Sequence, residues 1–220
     1  MNTPIIKELF QQCIKAFRTE ASIRGGEETR KALRSVIPIL ENVTAADVGI
    51  FDDTHGCNYD CALSQHLTSR PQFSMDIFII PAAYCMPLHD HPRMTVCTKM
   101  LYGSAHFMAY DWENSPDSNG EGVVKLSLDE TLTKEDSVKV LYPDKANIHA
   151  IKANTTCAFL DILIPPYDSL ERTCTYYKPK DADDTYNPNF LQIEEKLNIV
   201  PYNPNHFACI TDIYRGPKLY

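Results

Sequence analysis

The chain has 220 residues, enough for one substantial domain and short for two. It carries 44% apolar residues, 15 prolines, 8 glycines and a formal charge of -8. The proline and glycine load argues against an all-helical protein. The negative charge, concentrated beyond residue 50, argues against a non-specific nucleic-acid binder.

The start, MNTPIIKELFQQC, lacks the basic-then-apolar layout of a secretory signal, and no run approaches the length of a membrane span. No membrane partner is expected. The eight scattered cysteines are read as free thiols of a reducing compartment, the cytoplasm and, as a second location, the nucleus. Pro4 suits a first helical turn with Thr3 as its cap. Ile6, Phe10, Cys13 and Phe17 then recur at helical spacing, so a helix is predicted over about 4–19. Gly25 and Gly26 break it. A second helix over about 27–38 carries Leu33, Val36 and Ile37, and Pro38 ends or distorts it. Thr44 with Asp47 resembles a capping box for one short turn. Residues 51–70 read as a long surface loop. His55, Cys57, Cys61 and His66 within it have the residue types of a zinc set without the usual tight pairing.

From Phe73 the period changes to two. FSMDIFII, residues 95–101 and 105–112, VVKLSL, SVKVLY, HAIKAN and TCAFLDILI give seven or eight short strands with no βαβ rhythm. The fold class is therefore all-β, an antiparallel sandwich or barrel with N-terminal helices packed at one side. One domain is expected: helices over about 4–48, a barrel core over about 73–165, and a proline-rich segment over about 166–220 that wraps the barrel in loops and a few added strands.

His89 and His91 are two residues apart in otherwise apolar sequence. On an extended strand residues i and i+2 share a face, so both imidazoles can meet one metal ion while Asp90 points away. A third ligand must come from elsewhere. His149, opening the strand HAIKAN after the turn YPDKAN, is the best candidate. His106, which shares strand parity with Met108 and Tyr110, is second. No acidic residue follows His91 closely. Three imidazoles fit zinc, iron, nickel or manganese, so ligand type leaves a zinc hydrolase or isomerase and an iron oxygenase both open. A non-catalytic module binding through the helices and the tail is a further alternative. Asp161 is anomalous in CAFLDILI, because a charge in an apolar strand is costly unless paired or placed at a site. If residues 154–156 form a hairpin loop, Asp161 stands opposite His149 on one face. It is then a carboxylate near the metal, or else half of a barrel-closing salt bridge. Cys174 and Tyr176 are also two residues apart and share a side of extended backbone.

These stretches resemble a known family. MPLHDHPRMTV, KMLYGSAHFMAYDW, LYPDKANIHAI, LDILIPPYD, CTYY and YRGPK are similar to the thiol dioxygenases that comprise 2-aminoethanethiol (cysteamine) dioxygenase and the plant cysteine oxidases. The resemblance implies a cupin-type double-stranded β-barrel around a mononuclear non-haem Fe(2+). It matches the iron ligands to His89, His91 and His149, the family's barrel acid to Asp161, and the tyrosine after the paired prolines to Tyr167. It also implies that Cys174 and Tyr176 are the pair able to form a thioether. The implied reaction adds both atoms of O2 to a thiol, that of cysteamine or of an N-terminal cysteine in proteins, giving a sulfinic acid. An oxygen-sensing role accompanies it. The narrower alternative is a metabolic enzyme of small thiols only. A monomer is expected. One position departs from the family pattern: Arg93 stands where the motif usually has glycine, which implies a reshaped pocket mouth less welcoming to cationic amines.

Overall fold

The computed structural model describes residues 3–51, 59–190 and 192–220. Helix α1 runs Ile5–Ala16. Its apolar positions recur on one face, and Ile6, Leu9, Phe10 and Cys13 are buried. Its cap is Pro4 rather than Thr3: the amides of Lys7 and Glu8 donate to the Pro4 carbonyl, with no side-chain cap. The helix stops about three residues short of the expected end at 19, and a separate 3-10 turn follows at Glu20–Ile23. There Thr19 and Ser22 cap each other reciprocally. Helix α2 runs Glu27–Leu40, two residues past the expected end, with Pro38 inside it. A proline in the last turn removes only one ladder bond, and burial of Leu40 beyond it holds the backbone helical. Asp47 accepts from both the amide (2.9 Å) and the hydroxyl (2.6 Å) of Thr44, ahead of a short 3-10 turn at Ala46–Val48.

Twelve strands follow among the described residues: β1 (Ala62–Ser69), β2 (Ser74–Ile80), β3 (Cys85–His89), β4 (Thr95–Tyr102), β5 (Ser104–Trp112), β6 (Gly122–Thr133), β7 (Lys139–Leu141), β8 (Ile148–Ala153), β9 (Cys157–Ile164), β10 (Tyr177–Pro179), β11 (Lys196–Pro201) and β12 (Cys209–Asp212). Strand β1 corrects the expectation of a loop over 51–70. Its composition is mostly polar, but antiparallel pairing with β2 along its length and parallel pairing of Ala62–Gln65 with β12 hold it as a strand. His55 and Cys57 lie outside the described residues. His66 sits on β1 and bonds Asp76 at 2.7 Å.

The strands form two six-stranded sheets, β12-β1-β2-β9-β4-β7 and β10-β11-β6-β5-β8-β3. This is the cupin-type double-stranded barrel. Alternation along each strand divides the apolar residues into three layers. Met75, Ile77, Leu160 and Ile162 face outward from the first sheet and pack on α1 and α2. Val96, Met100, Phe107, Ile151, Phe159 and Leu163 fill the space between the sheets. Leu88, Met108, Tyr110 and Ile148 cover the outer face of the second sheet under the C-terminal wrap. Each such side chain contributes roughly 1.5–3 kcal/mol when fully buried. Gly103 makes the β4–β5 turn possible. Its φ is 73°, and a Cβ there would lie 2.3 Å from the Thr156 carbonyl.

The β8–β9 connection differs from the expected hairpin. Strand β8 pairs with β3 and β5, and β9 with β2 and β4, so residues 154–156 turn a corner between sheets. His149 and Asp161 are therefore not cross-strand neighbours. Both belong to the interior-facing set of their strands, on opposing walls of the barrel.

Candidate metal centre

His89 ends β3 and is the register partner of His149 on β8. His91 follows in the turn after β3. The three ring centroids lie 4.4 to 4.9 Å apart. One nitrogen from each ring comes within 4.8 Å of the others, near enough for one ion to reach all three. All are buried, at 6%, 3% and 2% exposure.

Neighbouring groups fix the tautomers. His89 Nδ1 is 2.8 Å from the Pro87 carbonyl, which only accepts, so Nδ1 carries the proton and Nε2 is left for a metal. The Tyr167 hydroxyl donates its single proton to the Asp90 carbonyl at 2.7 Å. It must therefore accept from His91 Nδ1, also at 2.7 Å. His91 Nε2 is then a buried nitrogen without a hydrogen-bond partner, as is His149 Nδ1. Such orphaned atoms are unusual in a folded core unless a ligand satisfies them. Burial is the main cause that lowers the pKa of each imidazole: His89 is pushed down to about 4, and His91 and His149 well below their usual range, with charge on neighbouring rings adding to the effect for these two. Near neutral pH all three are uncharged and can bind a cation without losing a proton.

Asn147 was not anticipated from sequence. Its Oδ1 accepts from the His91 amide (2.9 Å), and its Nδ2 donates to the carbonyls of His91 (2.9 Å) and Tyr142 (3.1 Å), which pins the ligand turn to the start of β8. The one signal available was an amide side chain two residues before a candidate ligand. His106, the second choice, lies on the opposite strand face and pairs with Asp129.

Asp161 is 5% exposed and accepts from the Thr98 hydroxyl at 2.6 Å, and among the described residues no salt bridge joins it to a cation across the barrel. Burial pushes its carboxyl up to about 7. The Thr98 hydrogen bond opposes this, and the nearby Asp76 charge adds to it. The register continues sideways, His66 to Asp76 to Asp161 to Thr98 to Lys139, giving a polar row across the inner face of the first sheet. Of this row the sequence marks Asp161, which interrupts a wholly apolar run, and His66, which it groups with a possible zinc set rather than with Asp161.

Tyr176 forms an isolated antiparallel bridge with His89, and its ring lies 6.0 Å from the imidazole. The Cys174 thiol lies near the hydroxyls of Tyr167 and Tyr176, and burial pushes it up to about 12. Cys174, Tyr176 and Tyr167 thus gather beside the triad.

A family model described as PCO_ADO matches residues 39–219. The chain belongs to the PCO_ADO family. This PCO_ADO member is 32% identical to plant cysteine oxidase 1 of Arabidopsis thaliana over 97% of its own length and 80% of that protein. It is 28% identical to the 2-aminoethanethiol dioxygenase of Mus musculus over 98% of its length and 96% of that protein. Over 66% of its length and 64% of the relative, it is 35% identical to a probable 2-aminoethanethiol dioxygenase of Dictyostelium discoideum. Among solved structures, a cupin superfamily protein from Desulfitobacterium hafniense aligns with a TM-score of 0.38 and 17% identity, covering 50% of this chain and 82% of that one. The triad in a PCO_ADO member makes the protein an iron-dependent thiol dioxygenase.

Arg93 has φ 57°, in the left-handed region where glycine is at ease. That explains why a glycine suits this turn. The arginine side chain turns to Glu171, donating to its carbonyl at 2.7 Å and pairing with its carboxylate at 3.3 Å; both side chains are exposed. Left-handed backbone costs a non-glycine residue about 1 kcal/mol, and an exposed ion pair returns a few tenths. Arg93→Gly is expected to raise Tm by roughly 1–3 °C with metal content unchanged. Thermal unfolding checks this, and a lowered Tm would mean that the Glu171 contacts outweigh the strain.

Proposed function

We propose that this thiol dioxygenase acts on thiols bearing a nearby free amine, cysteamine and the N-terminal cysteine of peptides and proteins, converting R–SH and O2 to R–SO2H. The observation that carries the substrate assignment is Asp161, a buried carboxyl on the barrel wall opposite the imidazoles, with no cationic side chain bonded to it among the described residues. The proposed cofactor is a single ferrous ion held by His89, His91 and His149 without haem. Bound there, it supplies the redox chemistry that lets dioxygen react with a thiolate sulfur.

The chain's own residues do the rest. Three uncharged imidazoles leave the cation its full positive charge, which favours a thiolate over a thiol. Asp161 accepts from the substrate ammonium once it is ionised, and Thr98 holds its other contact in place. Tyr167 acts through His91: its hydroxyl proton goes to the Asp90 carbonyl, and the bond to Nδ1 orients the ring. Cys174 and Tyr176 form the wall beside His89. Phe107, stacked on His149 at 5.0 Å, and the apolar interior around it keep bulk water from the reacting atoms. A cytoplasmic and nuclear enzyme of this kind would report oxygen through the N-terminus of its protein substrates.

The carboxylate of free cysteine places a negative charge near the thiol, which Asp161 disfavours. A peptide masks that charge as an amide, and cysteamine lacks it. The test is turnover of four substrates by the iron-loaded protein, read as a mass gain of two oxygen atoms: cysteamine, free cysteine, a peptide starting with cysteine, and the same peptide acetylated. The expected order is high turnover for cysteamine and the free-amine peptide, lower for cysteine, and very low for the acetylated peptide. Equal rates for the two peptides would refute amine recognition. Oxidation of cysteamine with neither peptide touched would assign a small-thiol enzyme.

A further inference from the structure

We propose that Asp90, between the two metal-ligand histidines, is a positioning residue that sets the register of segment 174–177 and so places Cys174 and Tyr176 beside the metal. Alternation in extended backbone turns His89 and His91 inward and Asp90 outward. Outward of β3, Asp90 meets the C-terminal wrap. Its Oδ1 accepts from the Thr175 amide at 2.7 Å, and its Oδ2 accepts from the Tyr177 hydroxyl at 3.1 Å. Its own amide donates to the Thr175 carbonyl at 3.1 Å, and its carbonyl accepts from Tyr167 at 2.7 Å. One residue thus holds Thr175 by both backbone groups and Tyr177 by its side chain.

Against β3 the register of this segment has little other support. The bridge between His89 and Tyr176 is isolated; the Tyr202 amide, donating to the Tyr176 carbonyl at 2.9 Å, and the β10 ladder that starts at Tyr177 tie the segment to β11 and the chain after it rather than to β3. Thr175 and Tyr177 are two apart and face Asp90; Cys174 and Tyr176 are two apart and face the metal. A slip of one residue would exchange the two sets, removing Cys174 and Tyr176 from the site. Asp90 opposes that slip because its two oxygens match two donors of only one register. Losing the carboxylate would also leave the Thr175 amide without its acceptor, which is costly in a part-buried position.

The test compares wild type, Asp90→Ala, Asp90→Asn and Tyr177→Phe as full chains. Amide hydrogen exchange over residues 173–178 is measured in metal-free and iron-loaded protein, together with iron content, kcat and KM. The kinetic arm rests on the thiol dioxygenase reading; the exchange arm does not. In Asp90→Ala, exchange at Thr175 is expected to rise at least about tenfold, the amount by which an opened hydrogen bond of roughly 1.4 kcal/mol changes an equilibrium. Iron content should stay near wild type, and kcat should fall roughly tenfold to a hundredfold through misplacement of the wall. Asp90→Asn should restore protection at Thr175, because its amide oxygen still accepts. Tyr177→Phe should show a smaller rise at 175–177. Unchanged exchange in Asp90→Ala overturns the proposal. So does loss of iron in step with activity, which would make Asp90 a support of the ligand turn alone. If Asp90→Ala does not fold, Tyr177→Phe decides: wild-type exchange there refutes the clamp. A wild-type protein that oxidised no thiol would sink the enzymatic reading and leave the exchange result to judge Asp90.

Discussion

His149→Ala is expected to lose nearly all bound iron and all measurable turnover. His149 is the one ligand of the triad that comes from outside the HDH turn, and it lies on β8, pinned opposite His89 by the sheet register. Two imidazoles on one short segment cannot replace it, because no carboxylate joins the three-histidine cluster among the described residues. Truncation also leaves a gap against Phe107, and a cavity of that size costs a few kcal/mol. His149→Gln, which retains volume and polarity, separates the two effects. Metal analysis and the shift of Tm on adding ferrous iron are the readouts. Wild-type protein gains stability by mass action when iron binds only the fold, while both His149 variants should show little or no shift. His106→Ala is the control and should keep its iron, since that ring faces the outer layer and bonds Asp129. Full iron occupancy in the His149 variants would refute the triad.

The parts of this site that the sequence revealed are those in which a local period has one spatial outcome. His89 and His91 share a face because any extended strand makes them do so, and Cys174 with Tyr176 follows the same rule. His149 and Asp161 were found by incongruity, an imidazole opening an apolar strand and a carboxylate interrupting one. Their mutual placement was misread because a period of two does not say whether a short turn closes a hairpin or carries the chain to another sheet. The contribution of β1 was hidden for a related reason. Its residues become a strand through pairing with β2 and with β12, which lies 147 positions away at Gln65 and Asp212, and no local window contains that partner. Asn147, Asp90 and the row from His66 to Lys139 act through hydrogen bonds between distant segments. Their residue types alone are ordinary in loops and on strand surfaces. Arg93 was legible as a departure from a motif, but the positive φ that gives the departure its meaning belongs to the turn geometry.

Asp161→Asn is expected to keep its iron and lose amine recognition. The substitution preserves shape and an oxygen able to accept from Thr98, and it removes only the capacity for charge. A desolvated hydrogen bond between ammonium and carboxylate contributes about 2–3 kcal/mol, so kcat/KM for cysteamine and for a peptide with a free N-terminal cysteine should fall roughly 30- to 100-fold. The rate with the acetylated peptide, already low, should hardly change. Stability should move the other way. Burial holds the Asp161 carboxyl at about 7, above its ordinary value of 3.8. The fold therefore binds this proton more tightly than the unfolded chain does. The contribution is fully present below about 3.8 and is lost as pH rises through about 7. Asparagine has no proton to lose. The Tm of Asp161→Asn relative to wild type should thus increase from pH 5 to pH 8 in the absence of substrate. A carboxyl that served only the fold would show this thermal signature with unchanged kinetics. A carboxyl that recognises the amine shows both, because the feature that makes it costly in the empty barrel, a buried charge with no cation beside it, is what a substrate ammonium corrects. Equal kcat/KM for the free-amine peptide in wild type and Asp161→Asn, measured by oxygen uptake, would refute that role.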